Sequence, residues 1–425
     1  MTAPAAASPV PPVRHTPHVV VVGAGQAAVQ AAEALRTGGY AGAITLLGDE
    51  PHGPYHRPPL SKAWLAGEIQ AAQLVMRAPE LLARKDITLR TGVRVLAIHR
   101  AAQTVVLDDG STLAYTGLVL ATGATARGLP LPGADAPNVL PLRTRDQASG
   151  MAEHLARCVA LQLPVVVIGG GFIGLEVAAT ARKKGLQVTV LEAAPRLLGR
   201  VLAPLLSDWY AALHRSHGVQ LVLDARIAAI ATGADGLATA VCLADGSRHA
   251  AGLVVVGVGV AANDPLAREA GLECDRGIVV DACGRTADPL IVAAGDCTAR
   301  RLADGSLLRL ESVQNATEQG KSAAAALLGQ SRPFTATPWF WSDQYDKKLQ
   351  MAGLSGGADT WALRGSLEAG TFSVYHFKGG TLLGVDSVNA TKDHLQARKL
   401  LDAGVSPTPA QAADVAFDLG SLLVV

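Results

Sequence analysis

What this chain has little of narrows its function first. Its five cysteines, Cys158, Cys242, Cys274, Cys283 and Cys297, include no CxxC or CxxxxC pair. Neither a disulfide framework nor a thiolate metal centre is therefore expected, and the thiols read as small buried hydrophobes. No metal site is expected elsewhere. Charge of one sign is missing too: 37 Lys and Arg face 36 Asp and Glu, so any charged partner must be met by a local patch and nucleic acid is not a candidate. Long apolar runs are absent. The longest, Leu253 to Ala262, has ten residues and two glycines, about half of the roughly 20 a spanning helix needs. Residues 1–17, MTAPAAASPVPPVRHTP, lack the apolar core of a signal peptide and read as a disordered tail. The expectation is a soluble, cytoplasmic protein without a membrane partner.

What is present is a glycine fingerprint, twice. Val19 to Val22 run into Gly23-Ala24-Gly25-Gln26-Ala27, and Val165 to Ile168 run into Gly169-Gly170-Gly171-Phe172-Ile173-Gly174. Each reads as strand, tight turn and helix, with helix 26–37 after the first and a helix through Lys184 after the second. Glycines in such a turn let the backbone approach a pyrophosphate, which then sits on free N–H groups at the positive end of the helix. Each unit's second strand, 43–48 and 188–191, ends at an acid, Asp49 and Glu192, placed to accept ribose hydroxyls. Glu192 also repels a 2′-phosphate and is followed by Ala193 and Ala194, favouring NAD(H), although Arg196 and Arg200 lie close by in sequence. Two such units bound to two dinucleotides imply electron transfer between them.

Apolar strands close each unit, at Leu118 to Ala121 before Thr122-Gly123 and at Leu253 to Val256 before Gly259. Between the first unit's second and closing strands lies a proline loop, Pro54-Tyr55-His56-Arg57-Pro58-Pro59-Leu60-Ser61-Lys62, with a helix expected from Leu60. Ile291 to Ala294 is a further buried strand ending near Asp296, with a helix at 315–328. Beyond Pro333 aromatic residues cluster at Trp339, Phe340, Trp341 and Tyr345, and alternating stretches such as Thr371 to Phe377 follow. The expected organisation is α/β: a tail at 1–17, a first dinucleotide domain at 18–140 that resumes at 264–334, a second at 141–263, and a C-terminal α+β domain at 335–425.

The proline loop, Leu142-Arg143-Thr144, Glu311-Ser312-Val313-Gln314-Asn315-Ala316 and Pro338-Trp339-Phe340-Trp341-Ser342-Asp343-Gln344 together resemble the FAD-dependent ferredoxin reductases of bacterial oxygenase systems, of the putidaredoxin and biphenyl-dioxygenase types. The likeness spans about residues 18 to 425. It implies a glutathione-reductase-like two-dinucleotide fold, FAD at the first fingerprint, NADH at the second, and a [2Fe–2S] ferredoxin as acceptor. It further implies that Arg57 and Lys62 face the flavin, that Glu176 pairs with Lys62 where the nicotinamide approaches, that Asp296 holds the ribityl or phosphate side, and that Val313 and Trp341 adjoin the ring. Ala121, Thr122, Gly123, Arg200 and Gly259 complete the cofactor-binding set. Val313 matches the putidaredoxin type, whereas Ala262 to Leu272 match the biphenyl type, so a Rieske-type and a P450-type partner both stay open. Rubredoxin reductase and an apoptosis-inducing-factor-like redox sensor are the alternatives. Disulfide reductases of that fold carry two cysteines four residues apart after the first unit; residues 40–65 have none, so electrons must leave directly from the flavin.

Overall fold

The computed structural model describes residues 16–423; residues 1–15 of the expected tail lie outside them. Two five-stranded parallel sheets repeat one plan. In the first, the strand order is Ile291–Ala293, Gly117–Leu120, His18–Val22, Ala43–Gly48 and Ile87–Thr91. In the second it is Val219–Val222, Val188–Leu191, Val165–Ile168, Leu253–Val256 and Val139–Pro141. Their central strands are unbroken runs of buried Val, Ile and Leu because both faces are covered, one by helices and the other by a three-stranded antiparallel sheet (Val95–His99, Thr104–Leu107 and Thr112–Ala114 in the first unit; Ile227–Thr232, Ala238–Leu243 and Arg248–Ala250 in the second), so no alternation is called for. The fingerprint helices are Gln26–Thr37 and Phe172–Lys183.

The chain returns to the first unit through Ile291–Ala293 and the helix Val313–Leu327, which lies on Gln26–Thr37. Gly320 permits this: a Cβ there would come within 2.7 Å of the Ala27 carbonyl oxygen. The helix begins two residues before the expected start because Ser312 accepts a hydrogen bond from the Asn315 N–H and caps it.

As expected, the first closing strand, Gly117–Leu120, ends in a glycine turn: Gly123, at φ +69°, turns the chain, and Ala124–Ala126 then pairs antiparallel with Val260–Ala262. This small ribbon joins the two units. The helix expected from Leu60 is a 3₁₀ turn, Pro58–Ser61, followed by a single turn, Ala63–Ala66. Pro58 and Pro59 bring no N–H donors, and Gly67, at φ +81°, ends the second of these turns.

The third unit is an antiparallel sheet in the order Trp339–Gln344, Lys347–Gly353, Thr381–Val388, Thr371–Lys378, Thr360–Ser366, backed by the helix Thr391–Ala403. Its edge strand Trp339–Gln344 divides its side chains by the period of two. Trp339 packs against His394 and under Arg398, 5.0 Å from its ring. Phe340, Ser342 and Gln344 face the second unit's helices Phe172–Lys183 and Pro204–Ser216. Among the described residues no helix is long and apolar enough to cross a membrane.

Two buried histidines make the fold acid-sensitive. Burial pushes His214 and His394 down to about 4 from 6.5. The unfolded chain therefore takes up protons between pH 6.5 and 4 that the folded chain refuses, and stability falls as pH drops through that window, by up to about 3 kcal/mol per histidine. Urea midpoints should decline from pH 7 to 4.5, and His214→Gln should flatten the decline. A parental slope in that variant would contradict the assignment.

Candidate functional site

The two glycine turns are alike at their first and third positions. Gly23 has φ +124°, and a Cβ would stand 2.2 Å from the Ala121 carbonyl oxygen; Gly169 has φ +106°, with the Gly257 carbonyl oxygen at 2.4 Å. These glycines seat each turn against its closing strand. Gly174 permits a second close approach, 2.2 Å from the Gly169 carbonyl oxygen. Gly25 and Gly171, by contrast, are open: nothing lies within 4 Å of a Cβ at Gly25, and at Gly171 only the Gly257 carbonyl oxygen, at 4.0 Å. Both are N-caps without a side-chain cap, so the first N–H groups of both helices are left for a ligand at the positive end of the dipole. Gln26 Nε2 donates to Thr317 and Ala27 is buried, tying the first turn to the helix Val313–Leu327.

The strand-end acids are placed differently. Asp49 is exposed, its carboxylate 3.7 Å from Arg94. Glu192 lies across the second turn and accepts from the N–H of Gly170 at 2.6 Å and of Ala194 at 2.8 Å. Arg196 is turned away and spent on the carbonyls of Leu202 and Gly199. Arg200 is exposed and reaches toward Gly259.

Around the proline loop, Arg57 donates to Glu50 at 2.6 Å, to the Tyr55 hydroxyl at 2.9 Å and to the Arg143 carbonyl at 2.8 Å. Burial opposes its charge, yet Tyr55 and Glu50 hold its pKa above the ordinary value. Arg143 in turn pairs with Asp296 at 2.6 Å. Thr122 and Asn263 exchange two hydrogen bonds, 2.6 and 2.8 Å, beside the ribbon between the units. On the segment flanking Val313, Arg309 Nε and Gln314 Oε1 are buried without partners among the described residues, and burial pushes the Glu311 carboxyl up. This set leaves polar atoms for a polar ligand to satisfy. Trp341 is half-buried against Trp339, ring centroids 5.6 Å apart.

The structure brings Lys62 and Glu176 together at 2.7 Å, with only 5% of the Glu176 side chain exposed. Ser61 and Ser342 both donate to that carboxylate, Ser342 at 2.7 Å. Phe172, Glu176 and Thr180 share one helical face, four residues apart. Phe172 meets Phe340 at 4.8 Å, and Thr180 donates to the Ser61 carbonyl at 3.1 Å. Sequence reasoning assigned no role to Glu50, Tyr55, Ser61, Arg143, Ser342 or Gln344. All but Glu50 belong to the segments that carry the resemblance, and that membership was their signal.

Two glycine turns opening uncapped helices on twin parallel sheets, with a lysine–glutamate pair bridging the units, define a two-dinucleotide oxidoreductase. The chain belongs to the pyridine nucleotide-disulphide oxidoreductase family, which matches residues 17–320, while a reductase C-terminal domain matches residues 339–423. It is 48% identical to rhodocoxin reductase of Rhodococcus erythropolis over 94% of this chain and 93% of that one. Among solved structures it is similar to the ferredoxin reductase for the CYP199A2 system from Rhodopseudomonas palustris (43% identity, TM-score 0.91, covering 95% and 99% of the chains). The putidaredoxin reductase of a covalent complex with putidaredoxin is similar at 41% identity and TM-score 0.91, covering 96% and 98%. FAD and NAD(H) are the cofactors, and the open turns and uncapped helices fit their pyrophosphates.

The turns generate a paired prediction. Gly25→Ala should leave the melting temperature of flavin-free protein unchanged, since its Cβ meets nothing, yet weaken FAD binding ~10-fold or more, about 1.4 kcal/mol. Gly23→Ala should lose folded protein itself. Measuring melting and flavin content on both separates the two; full flavin retention in Gly25→Ala would refute the cradle.

Proposed function

We propose that this chain is an NADH:ferredoxin oxidoreductase of the cytoplasm, binding FAD at residues 18–140 and 264–334 and NAD(H) at 141–263, with 335–425 closing over the flavin. Its acceptor is a small acidic [2Fe–2S] ferredoxin feeding a Rieske-type oxygenase or a cytochrome P450. The observation that carries the reading is the Lys62–Glu176 pair, which joins the proline loop of the first unit to the fingerprint helix of the second, in a chain without a cysteine at 40–65. Bound FAD supplies the exchange from a two-electron hydride, taken from NADH, to single electrons.

The protein's own groups do the rest. Lys62 holds a cation beside the reacting site, which stabilises negative charge arriving with the hydride. Glu176 keeps that ammonium in place. Arg57, anchored by Glu50 and Tyr55, and Asp296, anchored by Arg143, hold the polar side of the flavin, with Asp49 toward its ribose. Glu192 accepts the ribose hydroxyls of NADH, and because Arg196 is already spent, few cations remain to receive a 2′-phosphate. NADH should therefore exceed NADPH in kcat/KM by ~10-fold or more, and Glu192→Ala should narrow the gap. Equal use of both by the parent protein would remove this role from Glu192.

Docking charge is sparse. Of the basic groups on the ferredoxin-facing side, Arg301 is paired with Glu273, Lys347 with Asp346, and Arg300 donates to the Phe334 carbonyl. Lys348 is exposed and, among the described residues, has no carboxylate within salt-bridge distance. Elsewhere Arg77 and Lys85 share Glu33, and Arg84 is exposed. Turnover through a [2Fe–2S] ferredoxin should fall steeply with salt. Lys348→Glu should raise the KM for ferredoxin while the NADH–ferricyanide rate stays near parental. Fast reduction of small disulfides, with no electron transfer to any [2Fe–2S] protein, would overturn the proposal.

A further inference from the structure

Glu176 is the end of a buried line of hydrogen bonds that leads away from the cofactors. Ser342 donates to its Oε1 at 2.7 Å; Gln344 Nε2 donates to Ser342 Oγ at 3.2 Å. His214 Nε2 stands 2.9 Å from Gln344 Oε1, and the Tyr345 hydroxyl stands 3.2 Å from His214 Nδ1. Ser342, Gln344 and His214 are at most 1% exposed. The far end reaches the surface, where the Tyr345 ring stacks on His217 at 3.7 Å.

Valence fixes the direction of every bond. Gln344 Oε1 has no hydrogen, so His214 Nε2 is the donor, and in a neutral ring Nδ1 is then the acceptor from Tyr345. With Oε1 occupied, Gln344 gives an amide hydrogen to Ser342. Ser342 gives its single hydrogen to the carboxylate, which has none to offer. All donors therefore point toward Glu176, an arrangement in which each bond polarises the next. A charged imidazolium would reverse the bond at Tyr345, and the burial that holds His214 down to about 4 keeps it neutral.

We infer that His214 is a positioning residue for the Lys62–Glu176 pair, acting through Gln344 to aim the Ser342 hydroxyl at the carboxylate. The inference rests on the proposed role of that pair in hydride transfer. The line also crosses all three units: Ser61 comes from the first, Glu176 and His214 from the second, and Ser342, Gln344 and Tyr345 from the third. The titratable groups about it are Lys62 at Glu176, then Tyr210, which feels the charges of Asp386, Asp343 and Glu176, and His376 paired with Asp386. His217 and Tyr345 face His214, and Arg182 faces Tyr345.

The test is NADH-driven flavin bleaching by stopped flow, on holoenzyme from pH 5 to 9. His214→Leu and Gln344→Leu should each slow it about fivefold, the worth of one oriented hydrogen bond, with little change in the KM for NADH. His214→Gln, which keeps a donor and an acceptor, should restore the rate; a merely packed residue would show no such rescue. Adding His214→Leu to Ser342→Ala should slow the reaction no further. Parental rates in the Leu variants, or additivity with Ser342→Ala, would overturn the inference. If His214→Leu fails to fold, Gln344→Leu and His214→Gln decide it. Lys62→Met and Glu176→Gln separate the two levels: parental bleaching in both sinks the hydride role itself, whereas slowing there with none in the His214 and Gln344 variants sinks only the line.

Discussion

A carboxylate withdrawn from water must be matched by donors or a cation, or the fold loses several kcal/mol. Glu176 is matched three ways at once: by the Lys62 ammonium and by hydroxyls from Ser61 and Ser342. Lys62 and Ser61 come from the proline loop, Glu176 from the second fingerprint helix and Ser342 from the edge strand of the last sheet. The arrangement of the three units is thus tied to satisfying one charge. Displacing the last sheet would remove a donor from Glu176, and pulling back the proline loop would remove both a donor and the cation.

The duplication explains how such a site is built. Each unit presents a helix N-terminus at the carboxyl edge of its sheet, and in parallel sheets that edge is where crevices form. The short ribbon of Ala124–Ala126 with Val260–Ala262, reinforced by the exchange between Thr122 and Asn263, sets the two edges against each other. Gly320 and the helix Val313–Leu327 draw the chain back over the first fingerprint helix. The polar contacts beside the first turn are thereby collected from segments as distant as Glu50, Arg143 and Asp296.

Much of this was legible in the sequence, and for identifiable reasons. Fully buried parallel strands leave continuous Val, Ile and Leu runs, and glycines that must sit at positive φ leave a fixed spacing, so both units and the helix Gln26–Thr37 could be read directly. The proline loop misled only in detail, because prolines that begin a helix also weaken its first turn. What stayed hidden were long-range polar pairings. The alternation of Phe340, Ser342 and Gln344 shows that they share a face, but no local pattern says that His214 waits opposite Gln344, 130 residues away in sequence. The same holds for Glu50: next to Asp49 at the strand end, it could not be distinguished as the acid that anchors Arg57.

The neutralised surface cations have a consequence for timing. Hydride arrives as two electrons, whereas a [2Fe–2S] carrier removes one per visit, and the chain has no thiol pair in which to park the remainder. Every cycle therefore needs two successive encounters, the first carrier leaving before the second can land. An interface rich in unshared basic groups would lengthen each residence and throttle that exchange. With Arg301 and Lys347 already held by Glu273 and Asp346, the docking face proposed above would recruit an acidic carrier and still release it quickly, trading grip for throughput.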